Sequence, residues 1–114
     1  MPLVSEKIRA YKDEINRFGE ALPKVTDAYH SFTGESLSDG SLDAKTKQLI
    51  ALGIALSTNN EICTFYHAEE ARSKGATDAE ILETVAVASA ALAGNALSQG
   101  VTRVQEALTV PPVQ

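Results

Sequence analysis

The chain has 114 residues, 44% of them hydrophobic and 22% charged, with a formal net charge of -5. That length suits one domain spanning residues 1–114. The acidic balance with scattered Lys and Arg excludes a broad phosphate-binding surface, so no nucleic-acid partner is expected. A single Cys cannot make an internal disulfide, and the N-terminus has no apolar signal core. A reducing, cytoplasmic home follows as the expectation.

Aromatics are only 5% of the chain and Trp is absent, so the apolar content is mostly Ala, Leu, Val and Ile. No strand-like alternation is present, and the reading is all-α, with about six helices. Residues 3–19 place Leu3, Ile8, Tyr11, Ile15 and Phe18 at helical spacing, with charges between them and Gly19 as an end. Pro23 suits the first turn of a second helix, whose stripe is Val25, Ala28, Tyr29 and Phe32, fading near Gly34. Residues 35–42 are turn-rich, with Asp39-Gly40 as the breaker.

Asp43 is a good N-cap for a third helix over 44–57. The half from Leu49 to Leu56 is apolar on all sides, the mark of a buried helix. Residues 57–60 break it and cap a fourth helix reaching Lys74, where Gly75 fits a left-handed C-terminal position. Thr77 and Glu80 form a capping box for a fifth helix. Gly94 is read as a break before a sixth, ending near Leu108, with 109–114 as a tail. The run from Val85 to Leu97 is small and apolar but falls short of the roughly 20 residues of a membrane helix, so no membrane partner is expected. Together with 49–56 it is generous for a monomer, and part of it is expected to be buried between subunits.

The chemistry-bearing feature is the lone Cys63 with His67 four residues on. Residues i and i+4 share a helix face, and a thiol beside an imidazole is the pairing that makes a thiolate near neutral pH. Asn60 is a favoured N-cap, which places Cys63 in the first turn, where the helix dipole stabilises an anion. Gln48, on the buried helix, needs a partner, because an unpaired buried amide costs on the order of 1–3 kcal/mol. Tyr66 is placed to line a pocket. His30 reads as structural, and Lys45, Lys47, Glu69, Glu70 and Arg72 read as solvated.

Residues 42–52, the segment from Cys63 to His67, Ala71, and the segment from Gly75 to Ile81 resemble the carboxymuconolactone decarboxylase family, in particular its alkylhydroperoxidase D-like (AhpD-like) branch. The resemblance spans about residues 20–108, with residues 1–19 an added N-terminal helix. It implies a homo-oligomer, trimeric or hexameric, that acts on a small-molecule substrate without cofactor or metal. In the redox-active branch the site is a Glu on the buried helix followed by Cys-x-x-Cys-x-x-x-His. On that pattern Cys63 matches the attacking Cys and His67 the His, while Asn60 stands at the resolving Cys and Gln48 at the Glu. The resemblance therefore implies catalytic roles for Cys63, His67 and Gln48 and binding roles for Tyr66 and Asn60. With no second thiol, an oxidised Cys63 needs an external thiol reductant. The alternatives are a non-catalytic member with an eroded site, and a cofactor-free lactone decarboxylase, a reading that loses its acid at Gln48.

Overall fold

The computed structural model describes residues 3–113, and the described elements are all helical. Helix α1 (Val4–Ala21) starts where the Glu6 carboxylate accepts the Leu3 N–H at 3.1 Å. It runs through Gly19 instead of ending there. Gly19 serves a close approach: a Cβ there would sit 3.3 Å from Thr26 Cγ2, at the corner where α2 (Pro23–Leu37) folds back. Pro23 opens α2 as expected, since its missing N–H is one that a first turn leaves unpaired anyway. The helix continues three residues past Gly34.

In the following loop the Asp39 carboxylate takes the Ala44 N–H, and Asp43 caps α3 (Ala44–Ser57) by accepting from Thr46 N–H, each at 2.7 Å. Lys47 and Lys45 are not merely solvated. Lys47 donates to the Ser38 carbonyl at 2.7 Å, and Lys45 pairs with Glu80 at 2.8 Å, tying α3 to α5. Positive φ at Asn59 (53°) and Gly75 (94°) turns the chain at either side of α4 (Glu61–Ser73). At Gly75 that conformation favours the residue without a Cβ. The capping box at the head of α5 forms both bonds: Thr77 N–H to Glu80 at 2.9 Å and Glu80 N–H to Thr77 at 3.1 Å.

Helix α5 (Asp78–Gln99) passes through Gly94 without interruption, so the expected break is absent. A glycine inside a helix costs only about 1 kcal/mol relative to alanine, which its neighbours outweigh. The irregularity lies further on, in a π-helical turn at Gly100–Val104. It continues directly into α6 (Gln105–Ala107), so the sixth helix is a short extension of α5.

Helix α3 is the hub, packing most extensively on α4 and next on α5, while α1 touches α2 and α4. The buried apolar residues are few: Ile8, Leu52, Ala55 and Ala71. The uniformly apolar half of α3 is therefore only half covered, with Leu52 and Ala55 buried and Ile50 and Ile54 exposed. Helix α5 has no buried residue at all. The radius of gyration is 18.9 Å, against about 13 Å for a compact chain of this length. The accessible surface is 8536 Å², against roughly 6,000 Å² for a compact monomer of this mass. The stretch Asp78–Ala107 is also long and apolar enough, by length and composition alone, to cross a membrane.

Candidate functional site

The N-terminus of α4 positions the thiol. Asn60 Oδ1 accepts the Cys63 N–H at 2.9 Å, so Asn60 is the N-cap and Cys63 stands in the first turn. That end of a helix carries partial positive charge and favours an anion. One turn on, the ring of His67 leans toward α3, where Gln48 sits 4% exposed. His67 Nδ1 and Gln48 Oε1 are 2.7 Å apart. With the amide oxygen facing the ring, Nδ1 carries the proton and donates, and Nε2 keeps its lone pair. The buried amide thus finds its partner in the imidazole.

Burial holds the His67 pKa below the usual value of 6.5, partly offset by the charge of Glu70. The ring is therefore neutral at pH 7, with Nε2 available as a base. Among the described residues, no hydrogen bond joins Cys63 to His67. The pair does not form a closed nucleophile–base couple as the i, i+4 spacing suggested. Instead both line one pocket of about 530 Å³, walled by α1, α2, α3 and α4 and open to solvent on one side.

Tyr66 also lines the pocket, with its ring edge-on to His67 at 5.2 Å between centroids. Burial raises the Tyr66 pKa first, and the charge of Glu70 adds to it, so the phenol stays neutral and able to donate. Asn60 is absent from the pocket wall; its side chain is engaged in capping.

Residue reasoning missed the opposite wall. Helix α1 brings Tyr11 and Lys12, and α2 brings Tyr29 and His30. The three tyrosines of the chain, both histidines and the one cysteine thus share a single pocket. Burial raises the Tyr11 pKa, and the Tyr29 and Cys63 charges raise it further, which places Tyr11 within electrostatic reach of the sulfur. A signal for this wall existed: in a chain with so few aromatics, tyrosines at apolar-stripe positions of both α1 and α2 are unusual candidates for packing alone. Helix α1 is fixed over α4 by the Lys7–Glu61 pair at 2.8 Å and by Lys7 stacking on Phe65 at 5.5 Å.

Fold and site together define a class: an all-helical protein with one thiol in a capped first turn and an imidazole one helical turn away, anchored from the neighbouring helix. The profile of the carboxymuconolactone decarboxylase family matches residues 23–106, and the chain belongs to that family. Among solved structures it is similar to a carboxymuconolactone decarboxylase family protein of Legionella pneumophila. That likeness has a TM-score of 0.71 and 28% identity, and covers 75% of this chain and 76% of the other. A protein of Methanobacterium thermoautotrophicum superposes with TM-score 0.70 at 34% identity, over 78% and 97% of the two chains. In sequence it is 37% identical over 90 residues to uncharacterized protein 4 in the cox locus of Paracoccus denitrificans, covering 79% of this chain and 78% of that one. An uncharacterized protein of Haemophilus influenzae is 40% identical over 60 residues, 53% of each chain.

Proposed function

We propose that the protein is a one-cysteine thiol redox enzyme of the AhpD-like type, reducing a small hydroperoxide at Cys63 with an external thiol. The observation that carries this reading is the His67–Gln48 bond. It holds a neutral imidazole that lines the same pocket as a helix-capped thiol. With no direct bond between them, His67 takes the thiol proton across the pocket that both line, and the sulfur attacks the distal peroxide oxygen. The S–O bond forms as the O–O bond breaks, and the proton passes to the departing alkoxide as the alcohol. Cys63 is left as a sulfenic acid. An external thiol then displaces its hydroxyl as water to give a mixed disulfide, and a second thiol releases Cys63 and the reductant's disulfide. Gln48 holds the ring but ends the relay, because an amide does not take up a proton near neutral pH. A reducing cytoplasm is the compartment that supplies such thiols.

Self-association belongs to the same reading. The chain exposes roughly 2,500 Å² more than a compact monomer of its mass, beyond the roughly 800 Å² per partner of a standard interface. A groove of about 630 Å³ between Ile50, Gly53 and Ile54 of α3 and Val87, Ala88 and Ala91 of α5 is the apolar surface we assign to a second copy. An assembly explains α5 better than a bilayer does, since Asn95, Ser98 and Gln99 interrupt its apolar surface.

The test is peroxide consumption with dithiothreitol as reductant. Cys63→Ser is expected to abolish it and His67→Ala to slow it by about 10²-fold, the usual scale of a lost general base. Turnover indifferent to Cys63→Ser would sink the redox reading. Indifference to Cys63→Ser with sensitivity to His67→Ala would point to lyase chemistry.

A further inference from the structure

The wall opposite Cys63 carries charge of one sign. Lys12 lies 5.7 Å from the Tyr66 ring centroid, and Tyr66 in turn stands edge-on to His67. His30 and Asn16 complete a polar rim, with Ile15 and Ile62 as apolar wall. No carboxylate lines the pocket among the described residues. Glu70, whose charge reaches Tyr66 and His67, is not part of the lining. Lys7 and Lys45 are paired with Glu61 and Glu80, whereas Lys12 forms no ion pair among the described residues. Its helical neighbours offer none: positions three and four away hold Arg9, Ile15, Ile8 and Asn16.

An unpaired cation held over an aromatic wall, beside hydroxyl donors, is what an anion needs. With a net charge of -5 the chain as a whole does not attract anions, so a local cation inside a pocket without carboxylates is what would draw one there. We propose that this pocket selects a small organic acid. Its anionic group is held by Lys12 with help from the rim of α1 and α2, its apolar body lies on Ile15, Ile62 and Tyr66, and its reactive end meets Cys63. The volume of about 530 Å³ falls in the range of small-molecule sites. Lys12 belongs to α1, which precedes the span matched by the family profile, so this selection is added to the family core.

The inference rests on Cys63 being a reactive thiol, and its test separates the two. The purified protein is reacted with an aromatic disulfide bearing carboxylates (dithiobis-nitrobenzoate), a neutral one (dithiodipyridine) and a cationic one (cystamine). In each case the Cys63 thiolate attacks one sulfur, a mixed disulfide forms, and the other half leaves as a thiolate that is read by absorbance or mass. Lys12→Glu is expected to lower the anionic-to-neutral rate ratio about tenfold and to raise the cationic-to-neutral ratio. Lys24→Glu, the same charge change at an exposed residue outside the pocket lining, is expected to leave both ratios within about twofold. Equal loss in both variants, no change in Lys12→Glu, or no reaction with any reagent overturns the inference. Failure of His67→Ala to slow the neutral reagent counts against the activated thiol alone and leaves the charge ratios readable. A preference for glutathione over cysteamine in resolving oxidised Cys63 assigns the acid to the reductant. A preference for a carboxylate-bearing hydroperoxide over tert-butyl hydroperoxide assigns it to the oxidant. Either one sustains the proposal, and neither preference overturns it.

Discussion

The α3–α4 pair and helix α5 are built of similar residues and end up in opposite states. Around α3 and α4, Leu52, Ala55 and Ala71 are buried and the one buried amide is matched to an imidazole. Helix α5 is at least as apolar, yet none of its residues is buried and Val87 and Leu97 are two-thirds exposed. The His67–Gln48 bond is thus made within one chain, while the apolar residues of α5 stay on its surface. The lesson is that the two regions use their apolar residues differently: α3 and α4 bury theirs against each other around the His67–Gln48 bond, and α5 leaves its own on the surface.

The largest expected effect breaks that contrast at α5. Val87→Asp sits on an exposed position of the single chain, where a polar change costs within about 0.5 kcal/mol. In an assembly it buries an unpaired charge, which costs several kcal/mol. Light scattering is expected to show the solution mass falling from a multiple of 12.1 kDa toward that value, with Cys63 still open to alkylation. An unchanged multiple would remove α5 from the interface.

The next largest sharpens the site side. Gln48→Leu leaves the His67 N–H without its acceptor and is expected to cost about 1–3 kcal/mol in denaturant unfolding. The pH dependence follows from burial. Because the folded-state pKa of His67 is lowered, the native state binds fewer protons than the unfolded chain between that value and 6.5. Stability therefore rises with pH across that window and is lost as pH falls through it, and the base is lost on the same acid side. Gln48→Glu places a carboxylate beside Nδ1, favours the imidazolium, and is expected to move the acid limb of the rate profile to higher pH. A profile unmoved by this change would show that His67 does not limit the rate. The smallest effect is at the cap: Asn60→Ala is expected to cost about 1 kcal/mol and to slow Cys63 alkylation, because the first turn loses its fixed geometry.

Much of the local structure was legible residue by residue. The caps at Asp43, Asn60 and Thr77–Glu80 and the turn at Gly75 all stand where short-range chemistry put them. Glycines were the weak point. Gly19 and Gly94 read as ends because glycine is a poor helix former, but one is a packing contact and the other simply rides inside a long helix. Cys63 and His67 were visible because four residues on a helix is a spatial statement. The Gln48 bond spans nineteen positions; a buried amide in need of a partner, at the family position that serves the site, pointed to an orienting role, and the structure supplies the bond itself.

By itself, then, the sequence determined the helices, their caps, the thiol in a first turn and the family, since each depends on contacts within a few residues or on a recognisable order of motifs. The tertiary structure alone decided that His67 bonds Gln48 at 2.7 Å and shares a pocket with Cys63 without a bond to it. It also decided that α1 and α2 bring Tyr11, Lys12, Tyr29 and His30 across from the sulfur, and that α5 is left uncovered. The reason is physical: hydrogen-bond spacing along one helix is set locally, whereas which helix faces lie against each other is set by packing between segments far apart in the chain.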